Sequence, residues 1–423
     1  MQFKVPRGTQ DILPGEVEMW QWIEDNIRKI CRQYHYAEIR TPMFESTELF
    51  KRGVGETTDI VEKEMYTFED RGGRSLTLRP EGTAPVVRSF VEHKTYGEPQ
   101  PTKLYYVGPM YRYERPQAGR QRQFHQFGVE LFGTYEPESD AEVITLGMDW
   151  FAAVGLEGVT VEINSVGCTT CRPVHRANLV DYFTPYQEQL CGDCQSRLTR
   201  NPLRILDCKK ESCQAIIKDA PSIVEAWCEE CTTHFSQVKK ELELVNVPYR
   251  HNDRLVRGLD YYTRTAFEYM LENRQGGGQA STIGGGGRYN GMVKEMGGPE
   301  MSGIGFGIGM ERVLLALKTS EKEFPQMTTL DAYVVALGEQ AQEETTRILH
   351  ELRKAGLAVE RDLLNRKLKG QMKAADRAGA RYVVIIGDEE IKNQRVRIKE
   401  LASGEQSEVG LEELTHILKE KQI

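Results

Sequence analysis

The sequence predicts an α+β protein in two parts: a mixed or antiparallel sheet with flanking helices, then a compact α/β domain. Strand signals in the first part are interrupted by helices without the regular crossover units of a parallel sheet. The composition turns polar at SEKEFPQMTTLD, which reads as a linker, and beyond it strand and helix signals alternate regularly to the end. At 423 residues the chain exceeds the size at which one hydrophobic core stops growing. The division expected is therefore 1–325 and 326–423.

Taken in order, Glu16 to Tyr34 carries Val17, Trp20, Ile23, Ile27 and Ile30 at helical spacing behind a Pro-Gly turn, an amphipathic helix. Ala37 to Phe44 reads as extended, and Ser75 to Leu78 as a strand that leads into a helix after Pro80. KLYYVGPMYRYE and QFHQFGVELFG are apolar runs joined by the polar RPQAGRQR, the pattern of an antiparallel pair with a loop. GIGFGIGMERVLLALK passes from a glycine-rich strand into a helix. After the linker come strand DAYVVALG, a helix from Gln340 to Lys354, strand LAVERDL, a helix from Lys367 to Ala378, strands YVVIIGD and RVRIKEL, and a helix from Leu411. That terminal domain spans about 95 residues, within the range of an independent unit.

Composition narrows the classes of function. A net charge of −8 argues against a protein that coats nucleic acid indiscriminately, while leaving room for a local basic surface. Hydrophobic residues make up 39% and no apolar run approaches the roughly 18 residues of a membrane span, so no membrane partner is expected. MQFKVPRGTQDILPG has no apolar segment behind its charges, so a cytoplasmic location is expected.

Three segments carry chemistry. In YRYERPQAGRQRQFHQFGVE, Arg112 ends one strand, Arg115, Arg120 and Arg122 lie in the loop, and Gln126 and Glu130 share one face of the returning strand. Guanidinium forks suit phosphate oxygens, although an exposed salt-bridged hairpin has the same composition. In LVRGLDYYTRTAFE, Arg257 and Asp260 accompany Tyr261 and Tyr262, phenols that also suit a core. In GIGFGIGMER, alternate glycines admit either a ligand or a close packing neighbour, and Arg312 opens the next helix. No GxxxxGK[ST] loop occurs, so a nucleotide site here has to rely on arginines.

Together these segments resemble the class II aminoacyl-tRNA synthetases, and within them the histidyl-tRNA synthetase family. TPMFE around Pro42 looks like motif 1, RYERPQAGRQRQFHQFGVE like motif 2 and GIGFGIGMER like motif 3. RGLDYYT and GGGGRYNG resemble the two histidine-specific motifs, with Asn290 where Asp is commoner, and RPEGTA and PRGTQD extend the likeness along the chain. The resemblance implies a class II antiparallel sheet with a mainly helical insertion at about 168–245, and an anticodon-binding terminal domain. It implies a cytoplasmic homodimer built on motif 1 that ligates L-histidine to tRNA(His) through a histidyl-adenylate, with ATP as substrate and Mg2+ on its phosphates.

By the same resemblance Glu81, Gly82, Thr83, Gln126, Glu130, Arg257, Tyr261 and Tyr262 bind histidine. Glu81, Thr83 and Gln126 take the α-amino group, while Glu130 and Tyr262 bracket the imidazole nitrogens. A carboxylate and a phenol can satisfy both nitrogens, and a side chain without them leaves buried groups unpaired at about 1 to 3 kcal/mol each. Arg112, Glu114, Phe124 and Arg312 bind ATP, with Phe124 on adenine, Arg312 on the distal phosphates, and Arg112 and Arg257 as the catalytic cations beside the α-phosphate. Arg115 and Gln117 meet the tRNA acceptor end. Arg366, Lys369, Lys373 and Arg377 share a helical face that either meets RNA phosphates or is simply solvated.

Eight of the nine cysteines fall between Cys168 and Cys231, as the pairs CTTC, CGDC and CEEC with Cys208 and Cys213. The spacing suits zinc, and two of the pairs would make one tetrahedral structural Zn2+ site, although metal is not a general property of the family. Two other readings compete with the enzyme. A histidine-sensing regulator on the same fold would dispense with Arg112, Arg257, Arg312 and the terminal domain, all present here; a pure RNA-binding module leaves the imidazole-sized pocket unexplained.

Overall fold

The computed structural model describes residues 3–55, 58–256, 259, 261–272, 281–319 and 330–420. It is α+β and divides into two compact units, Met1–Glu323 and Phe324–Ile423.

In the first unit the central sheet comprises β1 (Ala37–Glu38), β5 (Thr102–Tyr111), β6 (Gln123–Phe132), β7 (Val159–Ser165), β8 (Tyr249–His251), β9 (Thr265–Leu271), β10 (Ser281–Arg288) and β11 (Gly303–Gly309). A smaller antiparallel sheet holds β2 (Phe44–Ser46), β3 (Tyr66–Glu69) and β4 (Ser75–Leu78), in the order β2-β4-β3. The central order is β1-β5-β6-β11-β10-β9-β7-β8, antiparallel except for the parallel edge pairs β1·β5 and β7·β8. The arginine hairpin is thus β5·β6, in continuous register from Thr102↔Phe132 to Tyr111↔Gln123. The glycine-rich β11 lies beside β6, so motifs separated by about 180 residues of chain become neighbouring strands.

Helices cover the sheet with the apolar stripes their spacing requires. The helix Val17–Gln33 buries Trp20, Ile23, Ile27 and Ile30, with Val17 only half-buried at its first turn. Trp150 and Phe151 of the helix Pro137–Ala153 pack edge-on against Phe127 and Tyr269, respectively. Each such fully buried aromatic contributes about 1.5 to 3 kcal/mol relative to exposure. The helix Thr83–Glu92 buries Val86, Val87 and Phe90 and stacks Phe90 on Phe132 at 4.4 Å. Its N-terminus points Glu81, Gly82 and Thr83 at the sheet face where the site is built.

Between β7 and β8 the insertion folds into the helices Cys171–Phe183, Gly192–Arg200, Glu211–Ile217 and Glu229–Leu244. It has its own small core, in which Leu179, Phe183 and Ile205 pack with Cys194, Cys208 and Cys213.

In the second unit β12 (Ala332–Leu337), β13 (Val359–Arg361), β14 (Tyr382–Gly387), β15 (Arg395–Glu400) and β16 (Gln406–Gly410) form one sheet in the order β13-β12-β14-β15-β16. The first three are parallel and the last two antiparallel. Three expectations needed correcting. The extended run 37–44 is broken into two short strands of different sheets, because Thr41 and Pro42 divide it. β16 was not foreseen, since Val409 is its one large apolar side chain and Gln406, Ser407 and Glu408 are exposed on the edge strand. Arg366 precedes the helix Leu368–Arg377 and pairs with Asp362 at 2.8 Å, so only Lys369, Lys373 and Arg377 remain on that helix. Among the described residues no helix is long and apolar enough to cross a membrane.

Candidate functional site

Two adjoining hollows open on the face of the sheet where β6, β10 and β11 meet. The larger, about 180 Å3, is lined by Arg112, Glu114, Phe124, Gln126, Glu311 and Arg312 together with glycines of β10 and β11. The smaller, about 70 Å3, is lined by Glu81, Thr83, Tyr106, Tyr261, Tyr262 and Tyr289. Arg112, Gln126, Gly285 and Gly307 line both, so the hollows share a wall.

The shared wall exists because β11 has no side chains there. A Cβ on Gly305 would stand 2.0 Å from Glu130 Oε2, and one on Gly307 2.4 Å from Gln126 Nε2. Glu130 sits directly across the ladder from Gly305, and its carboxylate fills the space. The close packing the sequence allowed for these glycines is present, with polar side chains of β6 rather than a neighbouring helix as the packing partners, and glycines of the same strand line both hollows.

Within the smaller hollow, Glu81 accepts the backbone N–H of Thr83 and of Ala84, each at 2.8 Å, capping the helix that follows. Burial raises its pKa, opposed by those same backbone donors. Each oxygen keeps lone pairs for a further donor, which an ammonium group would supply. Gly82 lies behind this cap, where any side chain would meet the Tyr106 ring at 2.2 Å. Glu130 is fully buried, and burial pushes its pKa up to about 8, countered in part by the Tyr289 and Thr83 hydroxyls. The Tyr289 hydroxyl donates to Oε2, while among the described residues none stands within hydrogen-bonding geometry of Oε1. Tyr261 stands 4.6 Å from Tyr262 and 5.7 Å from Tyr289, ring centre to ring centre.

In the larger hollow the Arg112 guanidinium lies 5.2 Å over the Phe124 ring and donates through Nε to the Pro80 carbonyl at 2.7 Å. Glu114 stands 3.7 Å from Arg112 and 3.5 Å from Arg120. Arg312 donates to the carbonyls of Thr282 and Gly119, and burial, then the neighbouring Arg120, holds its pKa below the ordinary value. Glu311 accepts the His125 backbone N–H at 2.8 Å, tying the helix Met310–Lys318 to β6. Arg115 and Gln117 are exposed on the loop, whose tip is closed by Gln117 and Arg120 pairing through their backbones.

The structure therefore brings Arg112, Arg312, Glu114, Phe124 and Gln126 to one wall, with Glu81, Thr83, Glu130, Tyr261 and Tyr262 beside them. Arg257 and Asp260 lie outside the described residues. Three contributors escaped the sequence reading: Tyr289, Tyr106 and Arg288. Tyr289 follows the glycine run of β10, and a large phenol there was the available signal. Arg288 is fully buried against Asp140, Ser139 and the Thr134 carbonyl, which anchors the end of β10 that carries Tyr289. The cysteines converge as two sets of four rather than one. Cys168, Cys171, Cys228 and Cys231 unite two of the pairs, and the third pair, Cys191 and Cys194, meets Cys208 and Cys213.

Comparison with known proteins places this geometry in context. A family model described as histidyl-tRNA synthetase matches residues 8–171, and one described as anticodon binding domain matches residues 331–421. The Histidine--tRNA ligase of Geobacillus thermodenitrificans is 57% identical over 422 residues, covering 100% of this chain and 99% of that protein. The Histidine--tRNA ligase of Pelotomaculum thermopropionicum is 55% identical over 98% of this chain and 97% of its own. The crystal structure of apo histidyl-tRNA synthetase from S. aureus, 44% identical, covers 99% of this chain and 100% of its own with a TM-score of 0.86.

Proposed function

The chain belongs to the histidyl-tRNA synthetase family, and from that premise we propose how its two hollows divide the ATP-dependent ligation of histidine to tRNA. The observation that carries the reading is the shared wall: an amino-acid-sized hollow lined by carboxylate and phenols opens onto an arginine-lined one.

Histidine enters the smaller hollow with its ammonium group toward Glu81, Thr83 and Gln126. Its imidazole lies between Glu130 and Tyr262, where the unpartnered Glu130 Oε1 takes or gives the ring proton. ATP occupies the larger hollow, with adenine on Phe124 and the distal phosphates toward Arg312. Arg112, which lines both hollows, sits where the histidine carboxylate must attack the α-phosphorus. Arg112 and Arg257 hold positive charge against the oxyanion that develops there, and pyrophosphate leaves. Glu114 and Glu311, which line the larger hollow, would hold Mg2+ through their hard carboxylate oxygens, and the ion would supply positive charge against the phosphates. In the second step the terminal ribose hydroxyl of tRNA(His) attacks the adenylate carbonyl and AMP leaves, with Arg115 and Gln117 on the exposed loop meeting the acceptor end.

Residues 1–325 act as the catalytic domain, and 326–423, which contain the match to an anticodon binding domain, read the distal end of the tRNA. A homodimer joined through the motif 1 region completes the reading, supported by the exposed Met43, Phe44 and Phe68 on and beside β2 and β3. A cytoplasmic location and a structural zinc in the insertion also belong to it.

The test is histidine-dependent exchange of labelled pyrophosphate into ATP. Exchange is expected with histidine and Mg2+ and not with other amino acids; folded protein that binds histidine without exchange is instead a regulator. Arg257→Ala is expected to depress exchange far more than histidine affinity, and equal losses refute its transition-state role.

A further inference from the structure

We propose that the insertion holds two separate zinc ions, one at its root in Cys168, Cys171, Cys228 and Cys231 and one in its core in Cys191, Cys194, Cys208 and Cys213, and that the root ion steadies the wall carrying Tyr262.

The geometry of the sulfurs carries the first half. Within each set all four Sγ atoms lie within 4.8 Å of one another. A regular tetrahedron of thiolates around zinc, with Zn–S of about 2.3 Å, has S···S edges of about 3.8 Å. The root set has edges of 3.6 Å (Cys168–Cys171), 3.8 Å (Cys168–Cys228) and 3.7 Å (Cys171–Cys231). In the core set Cys191–Cys208 measures 3.9 Å. Disulfides need about 2.05 Å, and all of these cysteines are free.

Backbone amides are aimed at the sulfurs, as thiolate ligands require. Thr170 N–H donates to Cys168 Sγ at 3.4 Å and Cys228 N–H to Cys171 Sγ at 3.1 Å, while Cys191 N–H donates to Cys213 Sγ at 3.3 Å. Four thiolates in a compact tetrahedral set suit zinc above the harder cations. The insertion also needs such staples. Its separate core is small, and three of its buried members are the core-set cysteines themselves.

The two sets are nested in sequence and serve different junctions. The root set closes the loop that contains the core set, joining the start of the helix Cys171–Phe183 to the start of Glu229–Leu244. Its flank runs into the smaller hollow. Arg172, next to Cys171, donates to the Tyr262 carbonyl at 3.0 Å, and Gly167, next to Cys168, accepts the Arg264 backbone N–H at 2.9 Å. The core set instead fixes the start of the helix Gly192–Arg200. Arg197 and Arg200 of that helix reach Asp59 and Glu62, and Arg204 just beyond it also reaches Asp59, none of which lines the smaller hollow. A steadier Tyr262 matters only if that phenol faces the imidazole, so this second half rests on the proposed histidine site; the metal count does not.

The test is metal analysis of the full-length protein purified reduced and without chelator. About two zinc per chain are expected, released together with about eight thiols by a mercurial. Cys171→Ser/Cys231→Ser and Cys194→Ser/Cys213→Ser should each leave about one zinc. Zero or one zinc in the folded wild type, iron in place of zinc, or cysteines blocked as disulfides overturns the proposal. For the second half, the root variant should raise the KM for histidine several-fold in pyrophosphate exchange with the KM for ATP unchanged, and the core variant should move neither. Equal changes in both variants refute the link to Tyr262. Should a variant not fold, partial mercurial titration of the wild type, with each remaining zinc located by which cysteines resist alkylation, gives the same comparison. Protein with two zinc ions and no histidine-dependent exchange would uphold the metal sites and reject the synthetase reading.

Discussion

At the scale of single residues, Glu130 concentrates the physics of the site. A fully buried carboxyl with one unpartnered oxygen is held largely protonated at neutral pH, its pKa raised to about 8 chiefly by burial. The sign for stability follows from proton counts. Between about 4.5 and about 8 the folded protein binds more protons at this position than the unfolded chain, so Glu130 makes stability fall as pH rises through that window, with no further change above it. Glu130→Gln keeps the shape and removes the titration. Its urea midpoint is expected to change less between pH 5 and pH 8 than that of the wild type, while calorimetric affinity for histidine falls at least tenfold. An unaltered pH slope removes the assigned ionisation, and unaltered affinity removes the imidazole contact. Tyr289 belongs to the same unit, because its hydroxyl donates to one carboxyl oxygen while the other has no hydrogen-bond partner among the described residues.

At the scale of elements, the glycine face of β11 decides where the polar residues of β6 can go. Gly305 is enclosed by the Glu130 carboxylate and, at 2.2 Å from its missing Cβ, by the Val129 carbonyl, so part of the obstruction is backbone and cannot rotate away. Gly305→Ala is therefore expected to lower the unfolding free energy by about 1 to 3 kcal/mol or more and to weaken histidine binding with it. Gly97→Ala is the control, since no atom lies within 4 Å of where its Cβ would stand, and should stay within about 0.5 kcal/mol of wild type. Denaturant titration of both variants checks the contrast, and equal midpoints would show that β11 has room to spare. The arginine hairpin follows the same logic: the strand pair sets Arg112 at its end, and the Pro80 carbonyl, the Phe124 ring and Glu114 orient its guanidinium.

At the scale of the whole molecule, the exposed apolar side chains around β2 and β3 are the surface on which the proposed homodimer rests. Met43 and Phe44 are each about half exposed, and Phe44 meets Phe68 edge to face at 6.5 Å without either being covered. Exposed apolar groups gathered this way mark association surfaces more often than scattered ones do. Phe44→Asp is expected to shift sedimentation from a dimer toward a monomer at micromolar concentration, with the circular dichroism of the fold retained. A variant as dimeric as the wild type would place the interface elsewhere.

Local order in the chain was enough for the helix with Trp20, Ile23, Ile27 and Ile30, for the β5·β6 pair, and for the alternation of the terminal domain. Each of these is a periodicity of 3.6 or 2 that repeats within one segment. The segments that line the two hollows were legible as well, because their residue types and spacings are short-range. Folding in three dimensions alone decided which of them meet. The contact of Glu130 with Tyr289 spans 159 positions, and the pairing of Cys191 with Cys208 crosses helix boundaries with no regular spacing. Such partners are selected by the closing of a core, when burial leaves a polar group no other neighbour, and no local period in the sequence records that choice.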